Sequence, residues 1–169
     1  MKIYTLDTDV VLNVDLKTAW DFFSDPGNLK RLTPPSMGFE ITHQDGSQMY
    51  AGMIVTYKVR PFGGIPVNWV TEITHVQEPH YFVDEQRFGP YRLWHHKHFF
   101  RETDRGLYCR DLVHYALPGG AVGRMIHPIL VRPRLEQIFN YRQRILLETF
   151  GGFSVNGAQT IPELTEAKS

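Results

Sequence analysis

The hydrophobic period of the chain changes near residue 118, and this change constrains the fold more than any other feature. Before it, apolar and polar residues alternate with the period of two that is typical of half-buried β-strands. Short connections rich in Gly, Asp and Pro separate the alternating segments and favour one antiparallel, meandering sheet of seven strands. The predicted strands are 3–12, 39–43, 53–59, 67–76, 81–87, 91–101 and 107–117.

Two short helices are predicted between the first and second strands. Asp15 is a favourable N-cap for a helix that ends at Phe23. Pro26 is acceptable in the first turn of a second helix over 27–32. The sequence Thr33-Pro34-Pro35 then ends this helix, because a residue that precedes proline avoids the helical conformation.

The last third of the chain predicts one long helix from Pro133 to Phe150, ended by Gly151-Gly152. A start near Gly123 is not expected, because Pro128 and Pro133 would each remove a backbone donor. The residues that share one face of this helix are Leu135, Ile138, Phe139, Arg142, Ile145, Leu146 and Phe150.

These elements predict an α+β fold in which a curved seven-stranded antiparallel sheet wraps around the long C-terminal helix. Residues 1–152 would form the domain, and residues 153–169 a flexible C-terminal tail, because periodicity is lost there. A curved sheet and a single helix do not close completely on each other, so a pocket is expected between them.

Strand parity predicts which side chains face this pocket. On each strand, one set of alternate residues carries the large aromatic side chains, and we place that set inward. Cys109 is interpreted as a small buried hydrophobic residue, whereas His95, His114 and His127 are predicted to be exposed or in loops. The inward residues are Trp69, Thr71, Ile73, Phe82, Asp84, Gln86, Trp94, His96, His98, Phe100, Cys109, Asp111, Val113, Tyr115 and Leu117.

Four sequence segments resemble a known superfamily: 20–29 (WDFFSDPGNL), 89–100 (GPYRLWHHKHFF), 111–118 (DLVHYALP) and 138–142 (IFNYR). Their order is similar to that in the START-like, Bet v 1-like superfamily, also called SRPBCC or polyketide cyclase/dehydrase-like proteins. The last three segments resemble its subgroup of small bacterial ligand-binding proteins. The resemblance extends from Leu6 to Phe150. It implies the helix-grip fold and a hydrophobic cavity, but fold alone implies no reaction.

The predicted function is binding or transport of a small hydrophobic or aromatic molecule, or a lipid, in this cavity. The predicted entrance lies near 62–66 and 89–90, and the loop 119–128 would add to its rim. The predicted ligand-binding residues are Trp69, Phe82, Asp84, Trp94, His96, His98, Phe100, Asp111, Tyr115, Ile138 and Arg142.

The sequence leaves two alternative functions open. In the first, His96, His98, Asp111 and Tyr115 supply acid–base groups for a cyclase or dehydratase reaction. In the second, the protein is a protein-binding adaptor, which would have a filled interior and an exposed apolar patch.

Metal binding is not predicted. His96 and His98 would lie about 7 Å apart on one strand face and would need Asp84 or Asp111 as a third ligand. A hydrogen-bonded pair on the cavity wall is the favoured interpretation. The single cysteine excludes an intrachain disulfide and a Cys-rich metal site. No cofactor is expected.

Charge and hydropathy narrow the expected partners. Eighteen basic residues balance eighteen acidic ones, so no nucleic-acid partner is expected. No segment has the run of about 20 apolar residues that crosses a membrane, and the alternating N-terminus is unlike a secretory signal. A cytoplasmic protein without integral membrane contact is expected. Arg132, Arg134, Arg142 and Arg144 are interpreted as a solvated basic side of the last helix.

Overall fold

The sheet has eight strands, one more than the sequence predicts. The computed structural model describes residues 1–61 and 64–155. Every pair of neighbouring strands is antiparallel, in the order β2-β3-β4-β5-β6-β7-β1-β8. Seven of the strands confirm the predicted ones, with ends that differ by about two residues at most. The strands are β1 (Tyr4–Leu12), β2 (Glu40–Gln44), β3 (Ile54–Val59), β4 (Val67–Gln77), β5 (Tyr81–Phe88), β6 (Leu93–Thr103), β7 (Gly106–Ala116) and β8 (Gly152–Ser154).

Strand β8 is the missed element, and its last two residues lie in the predicted tail. It pairs with the end of β1, where Phe153 lies opposite Val11. A Cβ at Gly152 would overlap the backbone oxygen of Val11, so this close pairing requires glycine. Three residues are too few to show an alternating pattern in the sequence. The rest of the predicted tail, 156–169, lies outside the described residues.

The two predicted short helices after β1 are present. Helix α1 (Leu16–Phe23) begins at Asp15, whose carboxylate accepts the backbone N–H of Thr18 at 2.8 Å. The second helix is a 3₁₀ helix (Pro26–Lys30) with Asp25 as its N-cap. A further 3₁₀ turn (Pro35–Met37) follows, where the sequence predicts only a helix end.

The C-terminal helical segment begins earlier than predicted. Helix α2 (Gly120–Ile126) continues through a π-helical turn (His127–Val131) into α3 (Arg132–Phe150). The amide of Arg132 donates to the carbonyl of His127, five residues back. This wider turn accommodates Pro128, which has no N–H to donate, and the chain stays helical. Within residues 1–61 and 64–155, no helix has the length and apolar character to cross a membrane.

Helix α3 packs against the sheet through a narrow face. Leu135, Phe139, Arg142 and Leu146 are its buried residues. Leu146 joins the apolar cluster around Trp20, whereas Leu135 and Phe139 join a second cluster around the aromatic residues of β4 and β6. Along β6 these clusters contain Phe100 and Trp94 respectively, so His96 and His98 lie between them.

Candidate functional site

A cavity of about 180 Å³ lies between the sheet, helix α3 and the segment that contains α1 and the 3₁₀ helices. Its wall is mostly apolar, and the described lining includes one carboxylate from the sheet, two imidazoles and one guanidinium. The lining residues from the sheet are Val55, Tyr57, Val59, Trp69, Thr71, Ile73, Phe82, Asp84, Trp94, His96 and His98. Those from α3 are Leu135, Ile138, Phe139 and Arg142.

The predicted inward phase of β6 agrees with the burial of its side chains. Trp94, His96, His98 and Phe100 are all buried, whereas the residues between them are partly exposed. On β5 both Phe82 and Val83 are buried, next to a shift in the β4–β5 register. Such a shift disturbs strict alternation.

The register of three strands builds a compact polar cluster. Asp84 on β5 lies opposite His96 on β6, and His98 on β6 lies opposite Asp111 on β7. All four side chains therefore point to the same face of the sheet. Arg142 reaches this group from α3. We call Asp84, His96, His98, Asp111 and Arg142 the ionic cluster.

Each imidazole of the ionic cluster contacts both carboxylates. His96 hydrogen-bonds to Asp111 through Nε2 at 3.0 Å, and its Nδ1 lies 3.2 Å from Asp84. His98 hydrogen-bonds to Asp84 through Nε2 at 2.8 Å, and its Nδ1 lies 2.8 Å from Asp111 without hydrogen-bond geometry. The ring centroids are 3.8 Å apart. This is closer than the predicted 7 Å, because both rings lean toward the same two carboxylates.

Arg142 completes the cluster from the helix side. Its Nε donates to Asp111 Oδ2 at 2.9 Å, and its guanidinium lies over the Phe23 ring at 5.4 Å. The side chain is only 9% exposed. Arg142 therefore does not belong to the solvated basic side that the sequence suggested. The ion pairs Arg132–Glu136 and Arg144–Glu148 do lie on the exposed side.

The charges of the cluster stabilise one another against burial. Burial disfavours the ionised carboxylates, but His96 and His98 outweigh this effect for Asp84 and lower its pKa. Arg142 and both imidazoles hold the pKa of Asp111 well below its ordinary value. Burial also disfavours the imidazolium of His96, yet the two carboxylates raise its pKa to about 9. At neutral pH both carboxylates of the cluster are therefore ionised and His96 is an imidazolium.

The opposite part of the cavity is aromatic. Trp69 stacks on Tyr57 at 5.8 Å between ring centroids and contacts Trp94 and Tyr91 edge-on. Burial and the nearby Asp84 raise the pKa of the Tyr57 phenol. Among the described residues, the buried Nε1 of Trp69 has no hydrogen-bond acceptor.

Three of the predicted ligand-binding residues do not line the cavity. Phe100 packs in the apolar cluster around Trp20, and Asp111 lies behind the two imidazoles. The Tyr115 hydroxyl is 2.8 Å from His127 Nε2. The prediction that His127 is exposed or in a loop was wrong. The structure buries His127 and stacks it on Tyr4, with ring centroids 3.5 Å apart.

The predicted entrance stays a prediction. Phe62 and Gly63 lie outside the described residues, whereas Pro61 and Tyr91, which adjoin the two predicted entrance segments, belong to the described lining. Gly89, Pro90 and the segment 119–128 are not part of that lining. The wall that follows β1 was not predicted. It comprises Phe22, Phe23, Ser24, Asp25, Pro26, Asn28, Leu29, Leu32 and Thr33. The apolar spacing of Phe22, Phe23 and Leu29 could have indicated it.

The ionic cluster also contains the atoms that a metal ion would need. One ligand atom each from Asp84, His96 and His98 lie within 4.8 Å of one another. The same nitrogens already contact carboxylates, and His96 carries a proton that a metal would have to displace. In this arrangement the residues fit an ion-pair network better than a metal site.

Comparison with known proteins assigns the family. The sequence matches the family described as polyketide cyclase / dehydrase and lipid transport over residues 12–139, and the chain belongs to this family. Membership supports a role in hydrophobic-ligand binding or cyclisation in general. No curated protein sequence matches the chain.

Solved structures confirm the helix-grip fold. Protein Ms6760 from Mycobacterium smegmatis is 20% identical, with a TM-score of 0.62 over 88% of this chain and 98% of that one. The di-domain ARO/CYC BexL from the BE-7585A biosynthetic pathway is 13% identical, with a TM-score of 0.60 over 85% of this chain and 50% of BexL. Major latex-like protein 151 from Panax ginseng is 12% identical, with a TM-score of 0.54 over 80% and 96%.

Proposed function

We propose that this protein binds a small aromatic molecule of one or two rings, with a polar substituent placed against Asp84. The observation that carries the proposal is a single feature: an apolar cavity whose wall is interrupted by the ionic cluster. Family membership supports a hydrophobic ligand in general, and the size and polarity of the cavity narrow its class.

The cavity volume supports a small ligand. At about 180 Å³ it is slightly larger than an engineered apolar cavity of about 150 Å³ in another protein, which stays dry and binds benzene. Trp69 and Trp94 supply flat apolar surface, and burial of aromatic surface contributes roughly 25 cal/mol per Å². A ligand with a long chain would need the wall to open.

The ionic cluster supports a hydrogen-bond donor on the ligand. Asp84 Oδ2 contacts both imidazoles, whereas no described residue hydrogen-bonds to Asp84 Oδ1. Asp84 lines the cavity and is ionised, so this oxygen can accept an O–H or N–H group. A phenol or a comparable donor fits this position.

Titration with 2-naphthol and with naphthalene tests the proposal through the fluorescence of Trp69 and Trp94. We expect both to bind, and D84N to weaken 2-naphthol about tenfold or more, because a hydrogen bond to a charged group is worth about 1.5–3 kcal/mol. Naphthalene affinity should stay unchanged in D84N. Glu85→Gln is the matched control, because Glu85 is the next residue and contacts His95 rather than lining the cavity. Failure of both compounds to bind would contradict the proposal.

A second candidate is an acid–base enzyme of cyclase or dehydratase type. The observation that favours it is an ionised carboxylate and an imidazolium side by side on the cavity wall. Asp84 would accept a proton and His96 would supply one. Against turnover, both ring nitrogens of His96 already contact carboxylates.

Dehydration of a one-ring β-hydroxyketone, 4-hydroxy-4-phenylbutan-2-one, distinguishes the two candidates. Loss of water gives a conjugated enone, which is followed by absorbance. If the protein is a binder, wild type and H96Q give the uncatalysed rate. Turnover in wild type that H96Q abolishes, with retained affinity for naphthalene, would favour the enzyme.

A further inference from the structure

The helical segment that precedes α3 exposes an unusually apolar surface. Gly123, His127 and Val131 are buried at intervals of four residues, so the segment rests on the sheet through one narrow edge. On the outer side, Met125 is 72% exposed and Ile129 is 81% exposed. We call the five exposed residues of this side the outer apolar face: Val122, Met125, Ile126, Ile129 and Leu130.

Their spacing makes this a continuous helical stripe rather than scattered residues. Positions 122, 125, 126, 129 and 130 follow the i, i+3, i+4, i+7, i+8 pattern of one helix side. In a globular protein this pattern is normally buried. Contiguous exposed apolar patches mark interaction sites.

The segment is held firmly with this side outward. His127 stacks on Tyr4 and lies 2.8 Å from the hydroxyl of Tyr115. Gly123 approaches the backbone of Pro118 so closely that a Cβ would overlap its carbonyl oxygen. The helix cannot rotate its apolar side inward without breaking these contacts.

Basic side chains flank the helical segment that carries the outer apolar face, and we call Lys2, Arg92, Arg124 and Arg132 its basic border. Lys2, Arg92 and Arg124 line one shallow surface hollow, whose described lining contains no carboxylate. Arg132 adjoins the other end, where it is paired with Glu136. Because acidic and basic residues balance in the whole chain, this is a local concentration of positive charge.

We propose that the outer apolar face and its basic border dock on an anionic lipid bilayer, with the helix lying in the membrane surface. Apolar residues that enter the acyl boundary and basic residues that meet anionic headgroups define such interfacial helices. A second copy fits less well, because a symmetric interface would bring the basic borders of both copies together. The apolar segment is also far shorter than the roughly 20 residues that cross a bilayer.

Vesicle sedimentation tests this proposal. Vesicles of phosphatidylcholine mixed with phosphatidylglycerol should bind the protein, and vesicles of phosphatidylcholine alone should bind it much more weakly. M125S/I129S should reduce binding tenfold or more. R124E should reduce it roughly twentyfold, since each charge near the surface is worth about fivefold. Phe88→Ser and Lys30→Glu are the controls, because Phe88 is 65% exposed on β5 and Lys30 is exposed beyond α1.

A second measurement follows insertion of the outer apolar face into the membrane directly and needs no variant that loses vesicle binding. Cys109, the single cysteine, is buried, so an environment-sensitive dye reacts selectively with I129C. On anionic vesicles its emission should shift to the blue, whereas dye on F88C should not change. Equal binding to both vesicle types, or equal losses in test and control variants, overturns the proposal. A dimer in solution that M125S/I129S abolishes would also overturn the proposal, because the outer apolar face would then be an interface between two copies of the chain. Binding of naphthalene is independent of all these outcomes.

Discussion

The structure shields two histidine side chains from solvent and gives them opposite character. His96 and His127 are each 6% exposed. Burial lowers the pKa of His127, and the nearby Arg132 and Lys2 add to this effect. At His96 the effect of burial is outweighed by Asp84 and Asp111, which raise its pKa to about 9. Carboxylate neighbours therefore decide that the His96 imidazole is charged.

The two sites therefore differ in what holds them together. The ionic cluster depends on charges that compensate one another, so removal of one charge exposes the others to the full cost of burial. The His127 site is neutral: the imidazole shares a hydrogen bond with the Tyr115 hydroxyl and stacks on Tyr4. Loss of the His127 side chain should lower the free energy of unfolding by the contribution of one hydrogen bond and one aromatic contact.

The largest expected effect is that of D111N. This substitution leaves the buried guanidinium of Arg142 without its carboxylate, which typically destabilises a protein by about 3–5 kcal/mol. Urea unfolding at neutral pH measures the change. The matched control is D7N, which breaks the more exposed pair with Arg110 and should cost at most about 1 kcal/mol. Similar losses in both variants would contradict a charge-dependent cluster.

The pH dependence of His96 should be the next largest effect. Because its folded-state pKa is raised from 6.5 to about 9, its contribution is fully present below pH 6.5 and is lost as pH rises through 9. The shift corresponds to about 3 kcal/mol. The difference in unfolding free energy between wild type and H96Q should shrink over this window. A difference that grows with pH would show that His96 is neutral.

His127 should give the opposite sign. Its folded-state pKa is lowered, so its contribution is present above pH 6.5 and is lost as pH falls through the folded-state value. The difference between wild type and H127Q should therefore shrink on the acid side. Titration of both imidazoles by NMR would measure the two pKa values directly.

The histidines and carboxylates of the ionic cluster could be predicted from sequence, whereas the burial of Arg142 and the His127 site could not. Alternation along β6 placed His96 and His98 on one face, and parity of the adjacent strands supplied Asp84 and Asp111. Periodicity predicts which side chains of adjacent strands share a face, because regular strand pairing keeps the same register along the strands. The burial of His127 depends on a π-helical turn and on a contact with distant β1. Neither has a local signal.

The same difference explains the errors in the cavity wall. In the regular strands and in α3, the predicted inward or outward orientation of a residue agrees with the structure where burial follows the sequence periodicity. The wall from Phe22 to Thr33 belongs to short helices, whose position over the sheet depends on loop geometry. Tyr115 was predicted to line the cavity because it shares parity with Asp111, but it packs against the π-helical turn through His127.

A smaller effect is expected from Y115F. The substitution removes the hydroxyl partner of His127 but introduces no unpaired charge, so unfolding free energy should fall by about 1 kcal/mol. Urea unfolding would again provide the measurement, with Tyr50→Phe as a control on an exposed tyrosine. A loss as large as that of D111N would mean that the His127 site carries a charge.

The smallest expected effect is that of added zinc. This experiment tests whether the ionic cluster binds a metal ion. Zinc would have to displace the proton of His96 and separate the imidazoles from Asp84 and Asp111. Because ligand histidines must be neutral, displacing the His96 proton costs free energy at any pH below about 9, and pH 7 lies in that range. The melting temperature at pH 7 should therefore not rise with zinc, measured against the same protein in a chelator. A rise that H98Q abolishes would mean that the cluster is a metal site held closed by its own ion pairs.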